Sequence, residues 1–191
     1  MKVIEFMGMP RAGKSTQFEL VETVLSYAKK KKVRCLYEAV RNCPLDRKDR
    51  FQYNSWSLHH TINRLMEARM QDVDYILVER GIWDHAAFSI ALYFDGKISK
   101  QQYLAQRRYC KGFGFLEDTV LAFFIDPETS VEREQKYHNQ QGIVTNINFL
   151  SYLFEAYKRT IKKVEQKICI IDSSKPLEEN TEEIFSHIEQ L

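Results

Sequence analysis

The chain has little net charge, no long apolar run, no paired cysteines and no guanine-reading motif, and each absence removes a class of protein. Its 191 residues carry 28 basic and 26 acidic side chains. No overall field therefore exists to hold a long nucleic acid or a membrane surface. No stretch approaches the length of a membrane-spanning helix. The opening segment, Lys2 to Met7, lacks the uninterrupted apolar stretch of a secretory leader, so a cytoplasmic protein is expected. Cys35, Cys43, Cys110 and Cys169 show no C-x-x-C spacing. A domain of this size needs no disulfides, and four reduced, mostly buried thiols are expected. Neither an N/T-K-x-D motif nor a D-x-x-G strand end occurs, which excludes a guanine-specific switch. His59 and His60 have no carboxylate or cysteine at ligand spacing and are not expected to hold a metal. With no internal repeat and no linker, one domain is expected over residues 1–191.

What is present is a regular alternation. Short β-branched and aromatic runs at Val3 to Met7, Val33 to Tyr37, Tyr75 to Val78, Val120 to Ile125 and Ile168 to Ile171 predict five strands. Between and after them, apolar residues at three and four spacing predict helices. These run over Ser15 to Lys30, Phe51 to Met70, Trp83 to Tyr93, Lys100 to Lys111, Ser130 to Tyr137, Ile147 to Val164 and Leu177 to Ile188. Strands that read as continuous apolar runs, each followed by a helix, predict an α/β fold with a parallel sheet covered on both faces. The stretch His138 to Asn146 gathers Asn, Gln and Gly without apolar periodicity and reads as a mobile loop. The lysines from Lys29 to Lys32 read as the solvated end of the first helix.

The strongest motif lies between the first strand and the first helix. Gly8-Met9-Pro10-Arg11-Ala12-Gly13-Lys14-Ser15 satisfies G-x-x-x-x-G-K-[ST] at every fixed position, in the required strand-to-helix context. Glycines let backbone N–H groups and the helix dipole close on a phosphate. Lys14 adds a point charge for the β and γ phosphates, and the Ser15 hydroxyl can ligate Mg²⁺. ATP and Mg²⁺ are thus the expected cofactors.

Arg11 to Gln17 resembles the phosphate loop of those thymidylate kinases that carry a catalytic arginine in the loop, and the sequence is similar to the thymidylate kinase and deoxynucleoside kinase superfamily end to end. Glu79-Arg80-Gly81-Ile82-Trp83 resembles its D/E-R signature, Glu38 its acceptor-side acid, and Ile171 to Pro176 its adenine-packing loop. The resemblance implies a three-layer P-loop kinase fold with sheet order 2-3-1-4-5 and a short lid at about 137–147. It implies ATP-dependent phosphoryl transfer to a nucleoside monophosphate or nucleoside, with dTMP as first candidate. The alternatives are a deoxynucleoside kinase, a kinase of another small acceptor, or a non-catalytic NTP-binding protein. The sequence departs from the thymidylate kinase pattern where Pro10, Tyr37 and Leu58-His59-His60 replace an Asp, an Arg and a base-contacting Arg. The acceptor is therefore not fixed.

Arg11, Lys14, Glu38 and Arg80 are the candidate catalytic residues. Gly8, Met9, Pro10, Arg11, Ala12, Gly13, Lys14, Ser15, Thr16 and Arg133 are expected to bind ATP. Glu38, Trp56, Glu79 and Arg80 are expected at the acceptor, and Ser15 and Glu79 at the metal. Arg11 stands where it can stabilise the transferring group, or else is solvated loop. Glu38 either takes a hydroxyl proton, holds a Mg²⁺-bound water, or is a strand-end carboxylate in solvent. Arg80 clamps an acceptor or locks strand to helix. Arg133 and Lys136 share a face of the helix entering the lid, which also suits a plain solvated face. Phe51, Tyr53 and Trp56 wall a base or belong to the core. The expected partner is a small nucleoside or nucleotide, with no long nucleic acid and no membrane; a homodimer is left open.

Overall fold

The structure, a computed structural model, describes residues 1–137 and 145–191. Its strands are β1 (Lys2–Gly8), β2 (Val33–Leu36), β3 (Tyr75–Glu79), β4 (Thr119–Phe124) and β5 (Lys167–Asp172). They form one parallel sheet in the order β2-β3-β1-β4-β5, the expected order. Burial follows position. Val3, Ile4, Phe6 and Met7 in the central strand have no exposed surface, whereas on the edge strand β5 Ile170 is exposed between buried Cys169 and Ile171. Continuous apolar runs thus belong to the centre of the sheet and alternation to its edge.

The helices are α1 (Lys14–Thr23), α2 (Arg50–Arg69), α3 (Ile82–Phe94), α4 (Lys100–Phe113), α5 (Pro127–Tyr137), α6 (Ile147–Ile161) and α7 (Leu177–Glu189). Because side chains alternate along a strand, β1 reaches both layers. The Phe6 ring meets Phe18 of α1 edge-on at 5.1 Å and stacks on Phe123 at 6.0 Å. Its neighbour Glu5 points the other way and accepts from the first turn of α3. Gln17 of α1 donates to Thr181 of α7, so those two helices share the Phe6 face. Phe124 packs edge-on against Phe154 and Tyr157 of α6, on the Glu5 face. The buried apolar residues of both layers form one contiguous cluster.

Boundaries moved where local chemistry outweighs periodicity. The first helix was expected to reach Lys30, but its α-winding ends at Thr23 and Val24–Ala28 winds as a π-turn. There Lys29 N donates to Val24 O at 2.9 Å, and the wider turn keeps Leu25 buried while Tyr27 is exposed. The fifth helix starts one turn before the expected Ser130. Pro127 is its first residue, and Asp126 Oδ1 accepts from Thr129 N at 2.8 Å, an N-terminal cap followed by the proline such positions favour. The second strand stops at Leu36, so Glu38 follows it and leads into a 3₁₀ turn at Ala39–Asn42. All five strands end on one side of the sheet, where ligands bind in folds of this class. The expected lid lies mostly in residues 138–144, outside the described residues.

Candidate active site

The site is built outward from the loop after β1. Gly8 has φ 135°, and a Cβ there would lie 2.1 Å from the Phe123 carbonyl oxygen, so no other residue fits this close approach of β1 to β4. Gly8 N donates to Asp84 Oδ1 at 3.1 Å, and Met9 N to Phe123 O at 3.0 Å. Gly13, at φ 79°, turns the chain into α1. Arg11 holds a left-handed φ of 58°, a strained value for a residue with a side chain. Helix α5 braces this strain. Ser130 Oγ donates to Pro10 O at 2.8 Å, Arg133 Nη1 donates to Arg11 O at 3.2 Å, and the Arg11 side chain pairs with buried Glu134.

Lys14 is buried, and its Nζ donates to the carbonyl oxygens of Gly8 (2.9 Å) and Met9 (2.6 Å). Burial, with Arg80 nearby, pushes its pKa down to about 7. Ser15 Oγ donates to Glu79 Oε1 at 2.6 Å, and Glu38 N donates to the other Glu79 oxygen at 3.3 Å. Ser15 and Glu79, the expected metal pair, are therefore in contact. Thr16 lies exposed in the first turn of α1.

Arg80, also at a left-handed φ of 58°, sits between two carboxylates: Nε is 2.8 Å from Glu38 Oε1 and Nη1 is 2.9 Å from Asp84 Oδ2. Its guanidinium lies over the Phe88 ring. Burial alone would disfavour its charge, but Asp84 and Glu38 hold it firmly protonated. Asp84 is buried and also accepts from the Tyr157 hydroxyl at 2.7 Å. Burial pushes its carboxyl upward, yet Arg80, Lys14, Tyr157 and Gly8 N together hold it below the usual range. One carboxylate thus ties the phosphate loop, the D/E-R arginine and α6 together.

A cavity of about 330 Å³ opens beside this cluster, lined by Pro10, Glu38, Arg80 and Asp84 together with Arg47, Arg50, Tyr53, Asn54, His85 and Phe88. Its polar wall is organised: Asn54 Nδ2 donates to Ser89 Oγ at 3.1 Å, and Asn54 Oδ1 faces His85 Nδ1 at 3.0 Å. Burial pushes His85 down to about 4, so its ring is neutral at pH 7 and Nδ1 carries the proton given to Asn54. A second cavity of about 200 Å³ is bordered by Ala12, Gly13, Arg133, Ser173, Lys175 and Asn180. Arg133 Nη2 donates to Ser173 O at 3.1 Å, fixing one wall. The phosphate loop therefore contributes to two cavities, Pro10 to the first and Ala12 and Gly13 to the second.

Beneath the first turn of α3 lie two buried acids. Glu5 accepts from Trp83 N (3.0 Å) and Asp84 N (2.7 Å), and Glu117 Oε1 accepts from Ile82 N (3.0 Å). Gly81 leaves them room, since a Cβ there would lie 2.2 Å from Glu117 Oε1. Burial and the neighbouring Glu117 charge push Glu5 well up, and burial pushes Glu117 to about 7, so the pair shares a proton at neutral pH.

The structure brings Arg11, Lys14, Ser15, Glu38, Glu79, Arg80 and Arg133 to one end of the sheet. Two expected acceptor residues are placed elsewhere than in the cavity wall. Trp56 stacks on His60 at 4.8 Å because its position on α2 turns it along the helix surface. Glu79 turns towards Ser15 instead of the cavity. Asp84, Asn54, His85 and the arginine pair 47 and 50 were missed. Only Asp84 left a signal, an acid four residues after Arg80 at the start of a helix.

Sheet order, phosphate loop and flanking cavities together make the protein a P-loop kinase. Residues 6–184 match the thymidylate kinase family, and the chain belongs to that family. Among curated proteins none matches it in sequence. Solved structures with the same fold include deoxyadenosine kinase from M. mycoides with dCMP and dCDP, at 16% identity and a TM-score of 0.79, covering 99% of this chain and 100% of that one. The same enzyme with dATP aligns at 18% identity with the same TM-score and coverage.

Proposed function

We propose that the protein transfers the γ-phosphoryl group of ATP to a nucleoside monophosphate held in the larger cavity, with dTMP as the first candidate, in the cytoplasm. The observation that carries this reading is the charge of the cavity wall. Arg80 is matched by Glu38 and Asp84, while Arg47 and Arg50 border the cavity without a carboxylate partner among the described residues. An acceptor with its own anionic group suits that surplus. Lys14 would leave the Gly8 and Met9 carbonyls for the β and γ phosphates, and Arg11 would meet the charge that spreads over the transferring group. Glu38 is placed to take an acceptor proton or order a water, with Arg80 orienting it.

For Mg²⁺ the chemistry of the donor set fits: Ser15 Oγ and Glu79 Oε1 are hard oxygens in direct contact, and phosphate oxygens and water complete such a shell. When bound, the ion neutralises phosphate charge and aligns the γ group.

Tyr37, standing where thymidylate kinases carry an acceptor-phosphate arginine, favours a second reading in which the acceptor is a deoxynucleoside. A panel of nucleosides and their 5′-monophosphates, assayed by ADP release, separates the two. A monophosphate as best acceptor supports the first reading and a nucleoside the second. ADP release independent of every member contradicts both.

A further inference from the structure

Arg11 is held at both ends of its side chain, and the hold at the outer end comes from a buried acid. At the backbone, α5 donates to the two carbonyl oxygens that flank the residue, Ser130 Oγ to Pro10 O and Arg133 Nη1 to Arg11 O. At the guanidinium, Arg11 Nε donates to Glu134 Oε2, one turn beyond Ser130 on the same face of α5. Glu134 is 1% exposed, and its Oε1 has no hydrogen-bond partner among the described residues. Arg11 is thus the one cation paired with this buried carboxylate among the described residues. A carboxylate is costly to bury, and it opposes any anion brought to the neighbouring loop. Stability and phosphate binding alike would be served better by a neutral side chain.

What the acid supplies is a direction for the guanidinium, whose five N–H donors lie in one rigid plane. With Nε committed to Glu134, the four donors on the two Nη atoms make no hydrogen bond among the described residues. The Arg11 side chain is 35% exposed, and without a hold on Nε it would sample many rotamers. We propose that Glu134 is the positioning residue for Arg11, fixing the guanidinium through Nε so that both Nη groups are set for the transferring phosphoryl group before ATP arrives. This rests on the reading of the protein as an ATP-dependent kinase and on the part given there to Arg11. The gain is preorganisation, because a cation already in place when charge develops has no reorientation left to make.

The test has one readout without turnover and one with it. In the unliganded protein labelled with [¹⁵N]arginine, the Arg11 Nε–H resonance is identified by its absence from Arg11→Lys. It should exchange slowly with water in the parent and in Glu134→Gln, whose side-chain oxygen still accepts, and rapidly in Glu134→Ala. With the best acceptor, Glu134→Ala should lower kcat by about 10- to 100-fold while the KM for ATP changes by less than about threefold. Glu134→Gln should recover most of that loss. In an Arg11→Ala background, Glu134→Ala should cost nothing further, because the group it positions is gone. An acid that only supports the fold would give losses that add, and additive losses overturn the proposal. Should Glu134→Ala not fold, exchange in the parent decides, slow exchange supporting the proposal and fast exchange overturning it. Loss of kcat in Arg11→Ala without loss in Glu134→Ala overturns this inference alone, whereas a parent that phosphorylates no acceptor overturns the kinase reading with it.

Discussion

Lys14 is buried in a setting that weakens its charge and is placed for a task that requires it. With its pKa pushed to about 7 by burial, the ammonium is largely neutral at pH 8.5 in the unliganded protein, while the unfolded chain keeps it protonated up to the ordinary value of 10.5. Its contribution to stability is therefore least favourable below pH 7 and improves as pH rises from about 7 to 10.5. Polyphosphate restores the charge, so ATP binding should take up close to one proton at pH 8.5 and almost none at pH 6. Binding enthalpies measured in buffers of different ionisation heat read this directly, and equal uptake at both pH values would contradict it. Arg11 makes a different prediction. A cation that acts mainly on the transition state lowers the barrier more than it tightens ATP, so Arg11→Ala should reduce kcat by about 10³-fold with a much smaller change in the KM for ATP. Steady-state kinetics on the best acceptor check it. Both residues were legible because a phosphate loop is a contiguous pattern. Asp84 was legible only in its spacing from Arg80, because its bonds from Gly8 N and the Tyr157 hydroxyl come from segments far away in sequence.

The N-terminal turn of α3 shows how an element is set by groups outside it. Its N–H groups at Ile82, Trp83 and Asp84 are received by Glu117 and Glu5, carboxylates from a loop and a central strand. The strand over Val3 to Met7 was readable from its apolar run, and Glu5 within it gave no hint of being fully buried, because its partners come from two remote segments. The pair also has a pH signature. Burial raises Glu117 from 4.5 to about 7, so its stabilising contribution is full at low pH and is lost as pH rises through that interval. Glu117→Gln keeps the oxygen that accepts from Ile82 and removes the titration. It should flatten the fall in melting temperature of the parent between pH 5 and pH 8; an unchanged pH profile would remove Glu117 from the account.

On the scale of the whole molecule, alternating strand and helix signals determined the α/β class, and the resemblance supplied a sheet order that the register bears out. The cavities were less legible. They are formed where α2, α3 and the turn after β2 converge, and where α5 and α7 meet the end of β5, so their walls mix residues from segments that no local pattern links. Among the described residues no helix is long and apolar enough to cross a membrane. The central claim is that the phosphate loop and the larger cavity serve one reaction, with the phosphates of ATP on the loop and the acceptor in the cavity beside it. The most direct measurement follows the label from [γ-³²P]ATP in the presence of the best acceptor and Mg²⁺. The account predicts that label appears covalently on the acceptor in proportion to ADP formed, and that Lys14→Ala abolishes the transfer. Label released only as inorganic phosphate, at a rate indifferent to the acceptor, would contradict it.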